Sequence, residues 1–271
     1  MMNIKMLAGL CKMKDKPLHL KLLKMLRETY GTNKVISTPM YIMATGNIPI
    51  CLVAHLDTVF DETLFENKEI YYDSEKSIMW SPHGLGTDDR AGVYAILQLI
   101  EKGYRPHIIF TQGEERGCLG ARALVHRFPK CPWKNLKYIL QLDRRGEKDC
   151  VFYECANEEF EKYINSFDFT TEWGTFSDIS EIAPIWKIAA VNLSVGYINE
   201  HSYSEMCNTA HLEMTINKVE KMLIEAKNAK KYKYKKAPFT YLNENVCLLC
   251  GKTIEEESKY ACVCKECSAL W

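Results

Sequence analysis

"DRAGVYAILQLIEKGYRPHIIFTQG", residues 89–113, holds two elements in succession and sets the architecture. Its first fifteen residues carry apolar side chains at helical spacing and end on Gly103, whereas "HIIF" is a short β-branched and aromatic run closed by "TQG". The unit recurs at once. "CLGARALVHRF" (118–128) reads as a helix and "KYILQLD" (137–143) as a strand. Helix and strand in alternation predict an α/β fold with a mixed, largely parallel central sheet flanked by helices.

Upstream, Pro17 and the leucines of "LHLKLLKMLRETYG" predict an amphipathic helix stopped by Gly31. "PMYIMA", "PICLVA", "EIYYD" and "SIMW" then read as short strands. Downstream, "VFYEC", "EEFEKYINSF", "KIAAVNLSV" and "AHLEMTINKVEKMLIEAKNAKK" continue the series without an internal repeat. The basic "KNAKKYKYKKAP" (227–238) reads as a helix end running into a linker, which divides the chain into a catalytic domain, 1–237, and a cysteine-rich tail, 238–271.

Length and composition bound the function. The 271 residues, 47% hydrophobic, suffice for one sizeable core and a small appended module. Thirty-five basic residues balance thirty-five acidic ones, so no global charge calls for nucleic acid or an anionic membrane. The Lys-rich linker is a local place where nucleic acid could be met, but a solvated helix end is the simpler reading. No apolar run approaches the ~20 residues of a membrane span, and "MLAGLC" is too short for a secretory core. A cytoplasmic protein with reduced thiols is expected.

The polar residues that interrupt this pattern sit at strand ends or helix starts. "ICLVAHLDTVFD" (50–61) ends an apolar run on His55 and Asp57, and "GTDDRAG" places Asp88 and Asp89 before the helix. "GEERG" supplies Glu114 and Glu115, "LDRRG" supplies Asp143, and "GYINEH" supplies His201. Singly, each has a bland explanation as a helix cap, a dipole partner or an Asx turn. Together they gather at the carboxyl edge of an α/β sheet, where such folds bind ligands.

This ordered set resembles the co-catalytic di-zinc exopeptidase superfamily of zinc aminopeptidases, aminotripeptidases and carboxypeptidase-like deacylases, over roughly residues 35–223. The resemblance implies that His55 and Asp143 hold one metal, that Glu115 and His201 hold the other, and that Asp88 bridges them through a peptide to Asp89 that is typically cis in relatives. Imidazole and carboxylate suit zinc, with Co²⁺ or Mn²⁺ as alternatives, and two such ions can clamp a hydroxide between them. Glu114, beside a ligand glutamate, is then the general base. Asp57 is expected to accept the other ring N–H of His55 and fix its tautomer, since alternate residues of an extended segment share a side.

Further roles are open in the sequence. Asp178 of "FSDIS" is a candidate partner for a substrate amine or a helix cap. Tyr197 or Tyr203 is a candidate oxyanion donor or a packing residue. Arg144 and Arg145 suit a substrate carboxylate or a brace on the ligand loop, and His83 suits a loop role better than ligation. Relatives of the carboxypeptidase and tripeptidase type usually insert a lid domain before the last histidine. Here only 57 residues, Arg144 to Glu200, intervene, which favours a compact aminopeptidase-like catalytic domain and leaves the oligomeric state open.

Five of the twelve cysteines fall in the last 25 residues. Cys247-x-x-Cys250 and Cys264-x-x-Cys267 form two knuckles suited to one structural Zn²⁺ in a ribbon-like module, with Cys262 as a spare ligand. The expectation is a di-zinc metallohydrolase acting on a peptide or small amide, foremost as an aminopeptidase. Deacylation of N-acyl amino acids is the enzymatic alternative. A non-catalytic adaptor that uses the cleft or the ribbon is the alternative of another class.

Overall fold

The structure is a computed structural model that describes residues 2–65 and 67–237. The chain divides into two units, Met1–Lys235 and Lys236–Trp271. The predicted structural zinc site at Cys247, Cys250, Cys264 and Cys267 belongs to the second and lies outside the described residues.

The first unit opens with helices α1 (Ile4–Cys11) and α2 (Asp15–Tyr30), followed by strands β1 (Val35–Thr38), β2 (Tyr41–Ala44), β3 (Ile48–His55), β4 (Tyr71–Asp73) and β5 (Ile78–Trp80). The expected alternation comes next: α3 (Arg90–Glu101), β6 (Pro106–Thr111), α4 (Leu119–Arg127) and β7 (Tyr138–Arg144). After it come β8 (Asp149–Val151), α5 (Glu158–Asn165), β9 (Thr170–Thr171), α6 (Asp178–Trp186), β10 (Ala190–Ser194), β11 (Tyr197–Ile198), β12 (Met206–Asn208) and α7 (Thr209–Glu225).

Eight strands form the main sheet in the order β1-β2-β6-β3-β7-β10-β8-β9. Its centre, β6-β3-β7-β10, is parallel, while β1, β2 and β8 join antiparallel. The α/β reading with a mixed, largely parallel sheet stands. The side-chain period of two sorts β3 into two cores. Ile50, Leu52 and Ala54 pack with Leu22 and Leu26 of α2, Tyr94 of α3 and Val219 of α7, whereas Cys51 and Val53 pack with Leu124 of α4 and Ile179 and Trp186 of α6.

Three features depart from the expectation. Helix α1 forms over the apolar "MLAGLC" segment, because Asn3 caps Met6 N and Leu7 and Leu10 enter the core. Four short strands make a second, antiparallel sheet, β11-β12-β5-β4. Residues 230–235 are a strap on the body rather than a free linker. Tyr232 N and O pair with Lys137 O and Ala189 N, and Ala156 N donates to Lys235 O. In "KYKYK" the tyrosines therefore turn inward and Lys231, Lys233 and Lys235 outward.

Candidate metal centre

The site is built on the carboxyl ends of β3, β6 and β7. His55 closes β3, and its Nδ1 donates to the main-chain O of Asp57 at 3.1 Å. The Asp57 carboxylate is 3.6 Å from that nitrogen. It accepts instead the N–H groups of Gly113, Glu114 and Glu115 at 2.7, 3.1 and 3.3 Å. The expected ring-to-carboxylate contact is thus made by the main chain, while the side chain fixes the Glu114–Glu115 loop. Burial raises Asp57, but His55 and the Glu114 and Gly113 N–H groups outweigh it and hold the carboxyl at about 2.

With Nδ1 committed, His55 Nε2 faces Asp88 Oδ1 at 3.0 Å and Asp143 Oδ1 at 3.4 Å. Asp88 turns its other oxygen, Oδ2, to His201 Nε2 at 3.2 Å, and His201 Nε2 lies 3.0 Å from Glu115 Oε2. The five sequence candidates therefore converge as two groups that share Asp88. Glu114 lines the cleft beside them. Burial pushes Glu114 up to about 9, with His55 opposing and Asp143 adding to the shift. His201, paired with Asp88 and Glu115, is raised to about 11.

Local sequence explains the placement. The Asp88–Asp89 peptide is cis, and Asp89 is fully buried as the N-cap of α3. One Asp89 oxygen accepts Gly92 N and the other His55 N. The glycine of "GTDDRAG" is required at this point. A Cβ on Gly92 would lie 1.9 Å from Leu142 O, so only glycine lets α3 meet the end of β7.

Several residues of the centre carry little or no signal in the sequence. Glu205, fully buried, accepts N–H from Gly86, Thr87 and Asp88 and the Thr87 hydroxyl, clamping the loop that presents Asp88. Asp143 Oδ2 accepts the Ser177 hydroxyl and the Gln141 amide, each at 2.9 Å, and Asn192 brackets the Asp143 main chain. Asn192 has a signal, a lone amide inside the apolar "AAVNLSV". Glu205 has none.

The remaining candidates surround this centre or lie at the surface. Tyr197 donates to Asp143 Oδ1 at 3.1 Å and so supports a ligand. Asp178 is fully buried at the start of α6, where Oδ2 takes the Thr111 hydroxyl. Burial raises it to about 7. His83 is exposed, and Tyr203 at the surface sets its ring at a tilt to that of Phe60, 6.0 Å between centroids. Arg144 and Arg145 both line the cleft.

The donor set fits zinc. Two imidazoles and three carboxylates converge within hydrogen-bond range, His55, Asp88 and Glu115 present ligand atoms within 4.8 Å of one another, as do His55, Asp89 and Asp143, and Glu115 Oε1 is buried without a hydrogen-bond partner among the described residues. Three ligand carboxylates against two divalent cations would leave a surplus positive charge to polarise a carbonyl. No helix among the described residues is long and apolar enough to cross a membrane.

Comparison with known proteins accords with this geometry. Residues 42–169 match peptidase family M28. No curated protein sequence matches the chain. Among solved structures, the aminopeptidase PepT from Bacillus cereus superposes with a TM-score of 0.61 at 16% identity, covering 83% of this chain and 98% of that one. A tripeptidase from Staphylococcus aureus gives 0.60 at 13% identity over 82% and 97%, and an aminopeptidase from the archaeon Desulfurococcus kamchatkensis gives 0.60 at 14% over 84% and 95%. These likenesses establish the shared fold. The match over residues 42–169 and the shared fold accord with the resemblance read from the motifs.

Proposed function

We propose that the chain is a two-metal aminopeptidase. The observation that carries this reading is the division of Asp88, one oxygen toward His55 and the other toward His201, with Asp143 and Glu115 completing the two groups. In this reading His55, Asp143 and Asp88 hold one zinc and His201, Glu115 and Asp88 the other. Bound zinc supplies Lewis acidity toward the scissile carbonyl and makes water a competent nucleophile near neutral pH.

The chain's own residues do the rest. Glu114, buried at the cleft wall and fixed through its N–H by Asp57, would be held ionised by two neighbouring cations against the effect of burial; its carboxylate then takes the proton of the attacking water and delivers it to the departing amine. Tyr197, Ser177 and Gln141 hold Asp143 in place so that its geometry does not shift as charge develops. A cytoplasmic setting accords with this chemistry.

The test is a metal and substrate experiment on one preparation. Elemental analysis of the folded chain is expected to give two ions for the His/Asp/Glu centre, counted on a variant with the tail cysteines replaced. Zinc-replete enzyme should hydrolyse amino-acid anilides or short peptides. Glu114→Gln should keep the metal content and lower kcat roughly 10²–10⁴-fold. Full turnover by Glu114→Gln removes the base, and a single bound ion removes the two-metal reading. Release of acyl groups but not of amino acids selects the deacylase alternative.

A further inference from the structure

The cleft over the metal centre has a volume of about 350 Å³. Outside the metal cluster and Glu114, its charged lining consists of Arg144, Arg145 and Glu200. Arg145 Nη1 meets Glu200 Oε1 at 2.9 Å, so these two neutralise each other. Arg144 is different. It follows Asp143 directly at the end of β7, and its Nη2 donates to the main-chain O of Trp173 at 3.2 Å. Its Nε is shielded from solvent and has no hydrogen-bond partner among the described residues. No carboxylate among them lies within ion-pair distance of its guanidinium.

A guanidinium cannot shed its charge, and its planar donor fork matches a carboxylate. Desolvating one N–H of it at a cleft wall without an acceptor is unfavourable unless the bound state provides that acceptor. Of the acids outside the metal cluster and Glu114, Glu200 is taken by Arg145 and Asp178 is buried against Thr111. The cleft is thus better furnished to receive a negative group than a second positive one.

We propose that Arg144 is a specificity-determining residue that receives a carboxylate of the substrate. The proposal rests on the hydrolytic reading of the centre and names its substrate class, short peptides or amides that carry a free carboxylate close to the scissile bond. Closeness follows from sequence. Arg144 is the neighbour of a metal ligand, and one residue of extended substrate spans at most about 3.6 Å, so the carboxylate belongs to the residue at the cut bond or the next one. It has two sources, the C-terminal carboxylate of a dipeptide or an acidic side chain at the N-terminal residue.

Zinc-replete wild type, Arg144→Met and Arg144→Lys are compared on two substrate pairs: leucyl-glycine against leucyl-glycinamide, and glutamyl anilide against glutaminyl anilide. The carboxylate-bearing member of one pair is expected to be favoured roughly 10- to 100-fold in kcat/KM, chiefly through KM. Arg144→Met should collapse that ratio toward one, and Arg144→Lys should restore part of it. The pair that responds identifies the source. Equal rates within both pairs for wild type overturn the proposal, as does an Arg144→Met variant that slows both members equally, which is the signature of a brace on the Trp173 loop. Calorimetric binding of leucyl-glycine and glutamate to Glu114→Gln, with and without Arg144→Met, separates this proposal from the hydrolytic one. Binding weakened by Arg144→Met in a chain that hydrolyses nothing sinks the enzyme and keeps the carboxylate site, and binding that ignores Arg144 sinks the carboxylate site alone.

Discussion

His55 and His107 are both buried and lie on adjacent parallel strands, His55 at the carboxyl end of β3 and His107 at the amino end of β6. Their surroundings push them in opposite directions. Burial alone would lower His55, but Asp143, with Asp57 and Asp88, outweighs it and raises the imidazole. His107 has no such carboxylates. It stacks on Trp133 at a centroid distance of 4.2 Å, accepts Gly46 N, and is lowered to about 4 by burial. The topology of a parallel sheet gathers acids around the histidine at the carboxyl end and leaves the one at the amino end among aromatic and main-chain neighbours.

The largest expected effect puts the contrast between the two histidines at stake. His55→Ala should lose zinc from its group and reduce activity by more than the ~10–100-fold that follows loss of a mere orienting partner. His107→Ala should keep both metal content and turnover. Elemental analysis alongside a rate assay reads the difference, and retained metal and activity in His55→Ala would undo the assignment.

Glu205 tests whether the acids at this end also hold the fold. Glu205→Ala strips acceptors from the N–H groups of Gly86, Thr87 and Asp88 together. It should cost about 3 kcal/mol or more in denaturant unfolding and weaken metal binding, because the loop under Asp88 loses its clamp. A loss below about 0.5 kcal/mol, the level of an ordinary surface change, would show that the clamp is incidental.

The smallest effect concerns the opposite end and depends on pH. His107 is held at about 4 in the folded chain against an ordinary value of 6.5. Above pH 6.5 the imidazole is neutral in both states and imposes no pH dependence. As pH falls from 6.5 towards 4 the unfolded chain takes up a proton that the folded chain refuses, so stability declines, by at most about 3 kcal/mol. His107→Gln should flatten the stability curve in that window, and an unchanged pH slope would contradict the burial argument.

These two histidines also show what is legible in a sequence and what is not. The alternation from Asp89 to Asp143 is legible because apolar periodicity is a local signal, and the five residues that converge are legible because each stands where such a period stops. "AHLD" and "PHIIF" look equally ordinary in isolation, and only the order of the other motifs singles out His55. Contacts across the chain are not legible. Tyr197 reaches Asp143 over 54 residues and Glu205 reaches Thr87 over 118, distances at which no spacing rule operates. The second sheet is hidden for a related reason, since its strands are two or three residues long and it pairs residues 71–80 with 197–208, far apart in the chain. The tyrosine alternation in the strap is visible, but its lysines favour the reading of a free linker.

The clamp by Glu205 has a consequence for how the protein comes into being. A nascent chain that has emerged through Ser194 already contains the strands of the main sheet together with His55, Asp88, Glu115 and Asp143. It lacks His201 and the carboxylate that fixes residues 86–88. One late segment, residues 197–208, therefore carries both His201 and the Glu205 clamp. During synthesis these two side chains follow the strands of the main sheet and precede α7 and the strap that close the body.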